Sequence, residues 1–376
     1  MNPIVVFSHL RWDFVYQRPQ HLLTRMAQNR RVIFIEEPLY EEGAAPHWEQ
    51  SSPTSNVLVC RPRTSITAGG FADEQMPALQ TLLEQLVADE GIDESIVWMY
   101  TPMALPLARR LRSCALVYDC MDELSAFRFA PVQLVEREAE LMLEADLVFT
   151  GGHSLYRAKQ GRHPNVHCFP SSVDAGHFRR GLSLPEPTDQ SAIPHPRLGY
   201  CGVIDERMDL DLLAALADAH PEWQIVMIGP EAKIAPEALP QRPNIHYMGP
   251  RKYEQLPAYL AGWDVCLMPF ARNEATRFIS PTKTLEYMAV ERPIVSTPIT
   301  DVIEPYSGIV LFGDTHEEFI AACEQALDET GTARAQRTAR MREALARTSW
   351  DRTAGAMERL VERAVEESLV GKAGVA

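Results

Sequence analysis

The chain has 376 residues, 46% of them hydrophobic and 23% charged, which is the composition of a folded globular protein with chain enough for about two domains. No stretch approaches the ~18 uninterrupted apolar residues of a membrane-spanning helix. The 36 Lys+Arg against 51 Asp+Glu leave a net charge of −15, so the average surface repels nucleic acid and anionic membranes.

The seven cysteines are scattered singly, several within apolar runs, and read as reduced core residues rather than a disulfide framework. Strand-like residues begin at Ile4 with no charged leader and cleavage site ahead of them, so the expected location is cytoplasmic.

In chain order, short apolar runs alternate with helical periodicity, the pattern of parallel α/β units. The first half predicts strands at 4–7, 32–35, 57–59, 96–100, 116–118, 147–149 and 166–169, with helices at 20–28, 76–89, 131–144 and 155–159. Residues 181–196 carry four prolines and no period, which predicts an exposed linker between domains 1–180 and 197–346. The second half predicts strands at 197–201, 224–228, 245–247, 265–268, 294–296 and 309–311 and helices at 210–219, 253–261, 282–289 and 316–329. An amphipathic helix over 350–368 has no sheet left to complete and is expected to cross back onto the first domain. The fold class is therefore α/β, with two doubly wound, Rossmann-like domains facing a cleft, because such sheets bind ligands beyond the carboxyl ends of their strands.

The densest chemical signal is Ser280-Pro281-Thr282-Lys283-Thr284-Leu285-Glu286-Tyr287-Met288-Ala289. Ser280 is placed as an N-cap and Pro281 as the first helical residue. Free amides there, with Thr282 and Lys283, suit a phosphate. Lys283 is one of only five lysines. Glu286 lies one turn on, on the same face, where a carboxylate can accept from a ribose diol. A capped helix with a surface Lys–Glu pair is the plain alternative.

These residues, with Arg292-Pro293-Ile294-Val295-Ser296-Thr297 after them, resemble the donor-nucleotide signature of GT-B glycosyltransferases, in the bacterial branch related to family 4 and teichuronic-acid-type enzymes. Gly199 to Arg207, Gly-Tyr-Cys-Gly-Val-Ile-Asp-Glu-Arg, is similar to the strand and glycine turn opening the donor domain. By that resemblance Gly202 lies in the turn and Arg207 reaches the diphosphate. It also implies base recognition by the turn Met248-Gly249-Pro250-Arg251, where Gly249 permits close backbone approach. Ser8 to Asp13 with Gln17-Arg18-Pro19-Gln20-His21 looks like the first loop and helix of the same branch. One position departs from the pattern: Phe278 stands where family 4 carries a glutamate contacting the donor sugar, and Glu274 is out of register with it.

On the acceptor side, His9, Arg11 and Asp13 follow the first strand, where imidazole and carboxylate can position or deprotonate a hydroxyl; an exposed ion pair is the alternative. Asp119, at the end of the strand 116–118, is the first choice for an acceptor-side acid or base, and equally a residue that caps a turn. Gly151 and Gly152 are expected to admit a ligand to the backbone, with Ser154 capping the next helix. Asp174 reads as structural. Asp209-Leu210-Asp211 has the spelling of a metal-binding D-x-D but opens an amphipathic helix, where acids are expected anyway.

The function implied is transfer of a sugar from a nucleoside diphosphate, expected to be UDP, to a hydroxyl of a glycan, a lipid-linked intermediate or a metabolite. Fixed cations would replace a metal, and no cofactor beyond the nucleotide sugar is expected. The alternatives are a sugar-nucleotide epimerase or hydrolase, and an inactive glycan-binding protein. Arg109, Arg110 and Arg112 offer either a basic patch for peripheral membrane contact or a solvated helix end.

Overall fold

The computed structural model describes residues 1–373, with side chains through 370. The chain divides into two compact units: residues 1–170 together with the segment from Trp350 onward, and residues 171–349.

The first unit is built on a nine-stranded sheet. Its strands are β1 (Ile4–Ser8), β2 (Val32–Glu36), β3 (Leu39–Tyr40), β4 (His47–Thr54), β5 (Val57–Thr64), β6 (Ser95–Met99), β7 (Ser113–Cys120), β8 (Leu147–Thr150) and β9 (Val166–Cys168). They run in the order β3-β5-β2-β1-β6-β7-β8-β9, with β4 hairpinned onto β5. All pairings but β4–β5 are parallel. Residues of β1, β2, β6 and β8 are all buried, which explains why they read as unbroken apolar runs rather than alternating ones: helices cover both faces. The long helix Trp350–Ala373 closes this unit. Trp350 stacks on His21 with ring centroids 4.7 Å apart, and Ala354, Met357 and Val361 are buried in the core beside β1, β2 and β7 residues.

The second unit holds β10 (Arg197–Cys201), β11 (Gln224–Ile228), β12 (Ile245–Gly249), β13 (Val265–Met268), β14 (Ile294–Ser296) and β15 (Leu311–Phe312). The order β12-β11-β10-β13-β14-β15 winds one way from β10 and the other way from β13. Crevices between such a pair, beyond the strands' carboxyl ends, are where doubly wound sheets take ligands. In this sheet Cys201 and Met268 end the two strands.

Several elements depart from the expected ones. The division between units falls at Pro170, ten residues before the predicted boundary at 180. Residues 181–196 are no loose connector: they form turns at Arg180–Ser183 and Thr188–Ser191, and Gln190 is fully buried, donating to the Tyr259 carbonyl at 3.0 Å and accepting from Trp263 Nε1 at 3.0 Å. Prolines there shape a packed strap, so a composition argument misleads. The β4 strand is polar and exposed and exists because β5 offers it an edge. Helices Thr300–Tyr306 and Gly331–Ala346 were not anticipated; in the latter only Arg337, Met341 and Leu345 are buried, too thin a stripe to read as amphipathic.

Candidate functional site

The candidate residues of the second unit gather at the β10–β13 switch point. Gly202 follows β10 directly, its N–H donating to the Ile228 carbonyl at 2.8 Å. At φ +149° it occupies a conformation that side chains rarely take, and an added Cβ would stand 2.4 Å from Lys283 Cε and 2.6 Å from Nζ. Lys283 therefore lies against the bare glycine backbone. Its ammonium stands 5.3 Å from the Tyr200 ring centroid and 5.7 Å from that of Phe270, aromatic faces that favour a cation. Neither the Lys283 ammonium nor the Glu286 carboxylate has a hydrogen bond or ion pair among the described residues.

The helix carrying them is Lys283–Ala289. Its N-cap is Thr282, with no side-chain cap, so the expected capping by Ser280 and a helical start at Pro281 are corrected. Thr282 already has αR backbone angles, which place Ser280 and Pro281 in the approach loop. Ser280, Thr282, Lys283 and Glu286 are all half-buried. The surface Lys–Glu pair is thus not what forms: the helix is anchored into the sheet by Tyr287, whose hydroxyl accepts from the Cys201 N–H at 2.9 Å, and this turns Lys283 inward.

Burial, then repulsion by Arg207, lowers the Lys283 pKa. Burial raises Glu286 to about 7, with Lys283 opposing it. A partly desolvated lysine and a carboxyl titrating near neutrality are groups held ready for a polar ligand.

Arg207 enters the same electrostatic cluster, gripped by Asp205: Nε and Nη2 donate to its carboxylate at 3.0 and 2.7 Å. Sequence reasoning passed over Asp205, although its spacing of two from Arg207 permits such a clamp. Also missed was Gly229 at the end of β11. At φ +148°, a Cβ there would stand 1.9 Å from the Gly202 carbonyl oxygen, so two glycines permit one close backbone crossing. The signal was present in Ile228-Gly229-Pro230, a glycine directly after a strand.

Gly249 ends β12 at φ +69° with open space beside its Cα, and its carbonyl accepts from the Gly229 N–H at 3.0 Å. The neighbouring Arg251 is committed elsewhere, to Asp189 at 2.7 Å, the Tyr259 hydroxyl at 2.9 Å and the Met248 carbonyl at 2.6 Å. Phe278 is half-buried under the Arg277 guanidinium at 5.1 Å, and Glu274 is exposed beside Arg277. Asp209 accepts from the Leu212 N–H at 2.8 Å as a helix cap, as its position before an apolar helix suggested.

In the first unit, Asp119 is held within the fold. It is fully buried, and Arg18 Nε and Nη2 hold its carboxylate at 3.1 and 2.8 Å. Arg18 also donates to the Phe169 carbonyl at 2.7 Å. Both carboxylate oxygens are thus engaged within the fold rather than presented to an acceptor. His9, in the loop after β1, is half-buried, and Asp13 is exposed with Arg61 3.8 Å away. Arg11 binds Glu36 at 3.2 Å, and Glu36 also accepts from Arg61 at 2.6 Å and the Trp12 N–H at 2.7 Å. Glu36 is thus the post holding the His9–Asp13 loop.

Gly151 approaches protein rather than ligand: its Cβ would lie 2.5 Å from the Met121 carbonyl oxygen. Gly152, not Ser154, is the N-cap of the next helix. Asp174 caps Ala175–Arg179, accepting from the His177 N–H. The basic patch is neutralised, since Arg109 pairs with Glu140 and Glu144, Arg110 with Glu84 and Arg112 with Asp93. No helix among the described residues is long and apolar enough to cross a membrane.

Residues 195–329 match the family model for glycosyl transferases group 1. A Bacillus subtilis (strain 168) protein, TuaH, whose name describes a teichuronic acid biosynthesis glycosyltransferase, is 26% identical over 275 residues, covering 67% of this chain and 69% of its own. Among solved structures, an Escherichia coli trehalose-6-phosphate protein bound with UDP-2-fluoro glucose superposes with a TM-score of 0.69 at 13% identity, over 97% of this chain and 99% of that one. Sucrose-phosphate synthase from Thermosynechococcus elongatus gives 0.66 at 15% identity, over 96% and 99%.

Two doubly wound units of this kind have the GT-B fold of those solved structures. Within that fold the likeness to group 1 glycosyltransferases is carried by residues 195–329 and by the 26% identical relative.

Proposed function

We propose that the chain transfers a hexosyl group from a UDP-sugar to a hydroxyl of a cell-envelope glycan or its lipid-linked precursor, in the cytoplasm and without a metal. The observation that carries the donor side is the fit of Lys283 against Gly202, with Arg207 and Glu286 in the same electrostatic cluster. UDP is favoured because a structure of this fold is bound with UDP-2-fluoro glucose, and an envelope glycan because a relative is named for teichuronic acid biosynthesis.

In this reading Lys283 donates to the diphosphate, and Arg207, oriented by Asp205, adds a second fixed positive charge. As the bond from sugar to phosphate breaks, negative charge grows on the leaving diphosphate. Preorganised cations stabilise that charge more than they stabilise the bound ground state. They do the work that a divalent ion does at other sites. Glu286 accepts from the ribose hydroxyls, Gly249 leaves room for backbone approach, and Gly202 makes room for the end of Lys283. Ser280 and Thr282 line the approach to Lys283. His9 and Asp13 remain the acceptor-side candidates, whereas Asp119 serves the fold.

The test is thermal stability and product formation with UDP, GDP, ADP and their sugars, with and without chelator. A ligand confined to the native state raises stability by RT ln(1 + [L]/Kd). A chelator-insensitive rise with UDP compounds, lost in Lys283→Ala, is expected. Equal shifts in wild type and Lys283→Ala remove the site. Turnover of donor with no acceptor present favours the epimerase or hydrolase reading.

A further inference from the structure

At the opposite end of the second sheet, beside the amino ends of β10, β13 and β14, lie two adjoining hollows of about 330 and 320 Å³. They share His195, Asp264 and Arg292 as common wall. Their size is at the lower end of small-ligand pockets.

The charges around them are unevenly satisfied. Each acid is occupied from within the fold. Asp264 accepts from His195 Nδ1 at 2.6 Å and from the Arg197 N–H at 2.7 Å. Glu186 is taken by Arg197 and by Gln190 at 3.1 Å, and Glu329 by Arg337. The two lining arginines are not. Arg292 spends one terminal nitrogen on the Ala261 carbonyl, while its buried Nε has no acceptor. Arg334 is exposed, with no ion pair or hydrogen bond among the described residues.

Surface arginines such as Arg109, Arg242 and Arg342 hold carboxylates, whereas the guanidiniums of Arg292 and Arg334, which line the same cavity, hold none.

We infer that this cavity binds a small phosphate monoester, its dianion bridging Arg292 and Arg334 and its polyol body filling the adjoining hollow. Guanidinium forks match phosphate oxygens in pairs, and a doubly charged group satisfies two of them where a single carboxylate does not. The neighbouring hollow is lined by Leu182, Leu184 and Glu186; the exposed leucines give an apolar wall for carbon, and with Gln190 and Arg197 both on Oε1 of Glu186 its other oxygen is an acceptor for a hydroxyl.

The site is distinct from the donor cluster. Arg292 stands between Glu291 and β14, at the far end of the helix whose first residue is Lys283.

The test compares inorganic phosphate and glucose 6-phosphate at matched ionic strength by thermal shift and calorimetry, in wild type, Lys283→Ala, Arg334→Ala and Arg292→Gln. Glucose 6-phosphate is expected to bind more tightly than inorganic phosphate in wild type and equally well in Lys283→Ala. Arg334→Ala, an exposed change that leaves the core untouched, is expected to weaken binding about tenfold or more, and Arg292→Gln to do the same. Unchanged affinity in Arg334→Ala overturns the proposal. So does loss of binding in Lys283→Ala, which would place the anion in the donor cluster, and so does equal affinity for the two probes.

Discussion

Gly202 and Lys283 are fitted to each other: the space that a Cβ at Gly202 would fill is taken by the end of the lysine, with Cε only 2.4 Å from that point. The strand-end glycine thus keeps a cation at the carboxyl end of β10.

The first prediction follows from that fit. In Gly202→Ala the new methyl displaces the flexible end of Lys283 and meets backbone strain at φ +149°, a cost of about 1–3 kcal/mol. UDP binding, read by calorimetry, is expected to fall far more than the melting temperature. Retained affinity in a folded Gly202→Ala protein would show that the lysine's position is immaterial.

Glu286 gives a stability signature. Its pKa is about 7 in the folded chain against about 4.3 when unfolded, so folding favours the protonated form. The contribution is fully present below about pH 4 and is lost as pH rises through 7. At pH 8 the wild type carries the whole cost of the buried charge. Glu286→Gln is therefore expected to be more stable than wild type at pH 8, by on the order of 1–2 kcal/mol given its partial exposure. Denaturant melts at pH 5 and pH 8 check this, with the advantage shrinking at the lower pH.

The same group makes nucleotide affinity depend on pH. If the ionised carboxylate accepts both ribose hydroxyls, UDP affinity rises between pH 6 and 8 and falls up to about tenfold per unit below 7. Glu286→Gln flattens that limb and binds weakly throughout. A profile that is flat in wild type contradicts the assigned ribose contact.

Asp119 is predicted to matter for folding. Removing one partner of its buried pair leaves an uncompensated charge, so Asp119→Leu or Arg18→Met alone should cost about 3–5 kcal/mol. The double replacement should recover much of that loss, as judged by urea unfolding. If the single Asp119→Asn protein melts normally yet loses turnover, the residue has a catalytic role after all.

Much of this architecture is legible along the chain because its signals are local. The runs 197–201, 224–228, 265–268 and 294–296 coincide with the strands found, and helices 76–89 and 210–219 match in full. Buried parallel strands must be apolar throughout and their covering helices amphipathic, so short windows suffice. The 3-residue step from Lys283 to Glu286 likewise shows that both lie on one helical face.

What escaped depends on partners far off in sequence. Arg18 and Asp119 are 101 residues apart, and Arg11 and Glu36 are 25 apart; nothing near Asp119 marks it as already spoken for. The proline strap looked like a linker until Gln190 met Tyr259 and Trp263. Local periodicity and turn chemistry are enough to lay down the two sheets and to bring Lys283 and Glu286 to one face. Which carboxylates stay open for chemistry is decided only when distant charges desolvate together, because a buried charge must find its counterion and only the folded chain says which one it finds.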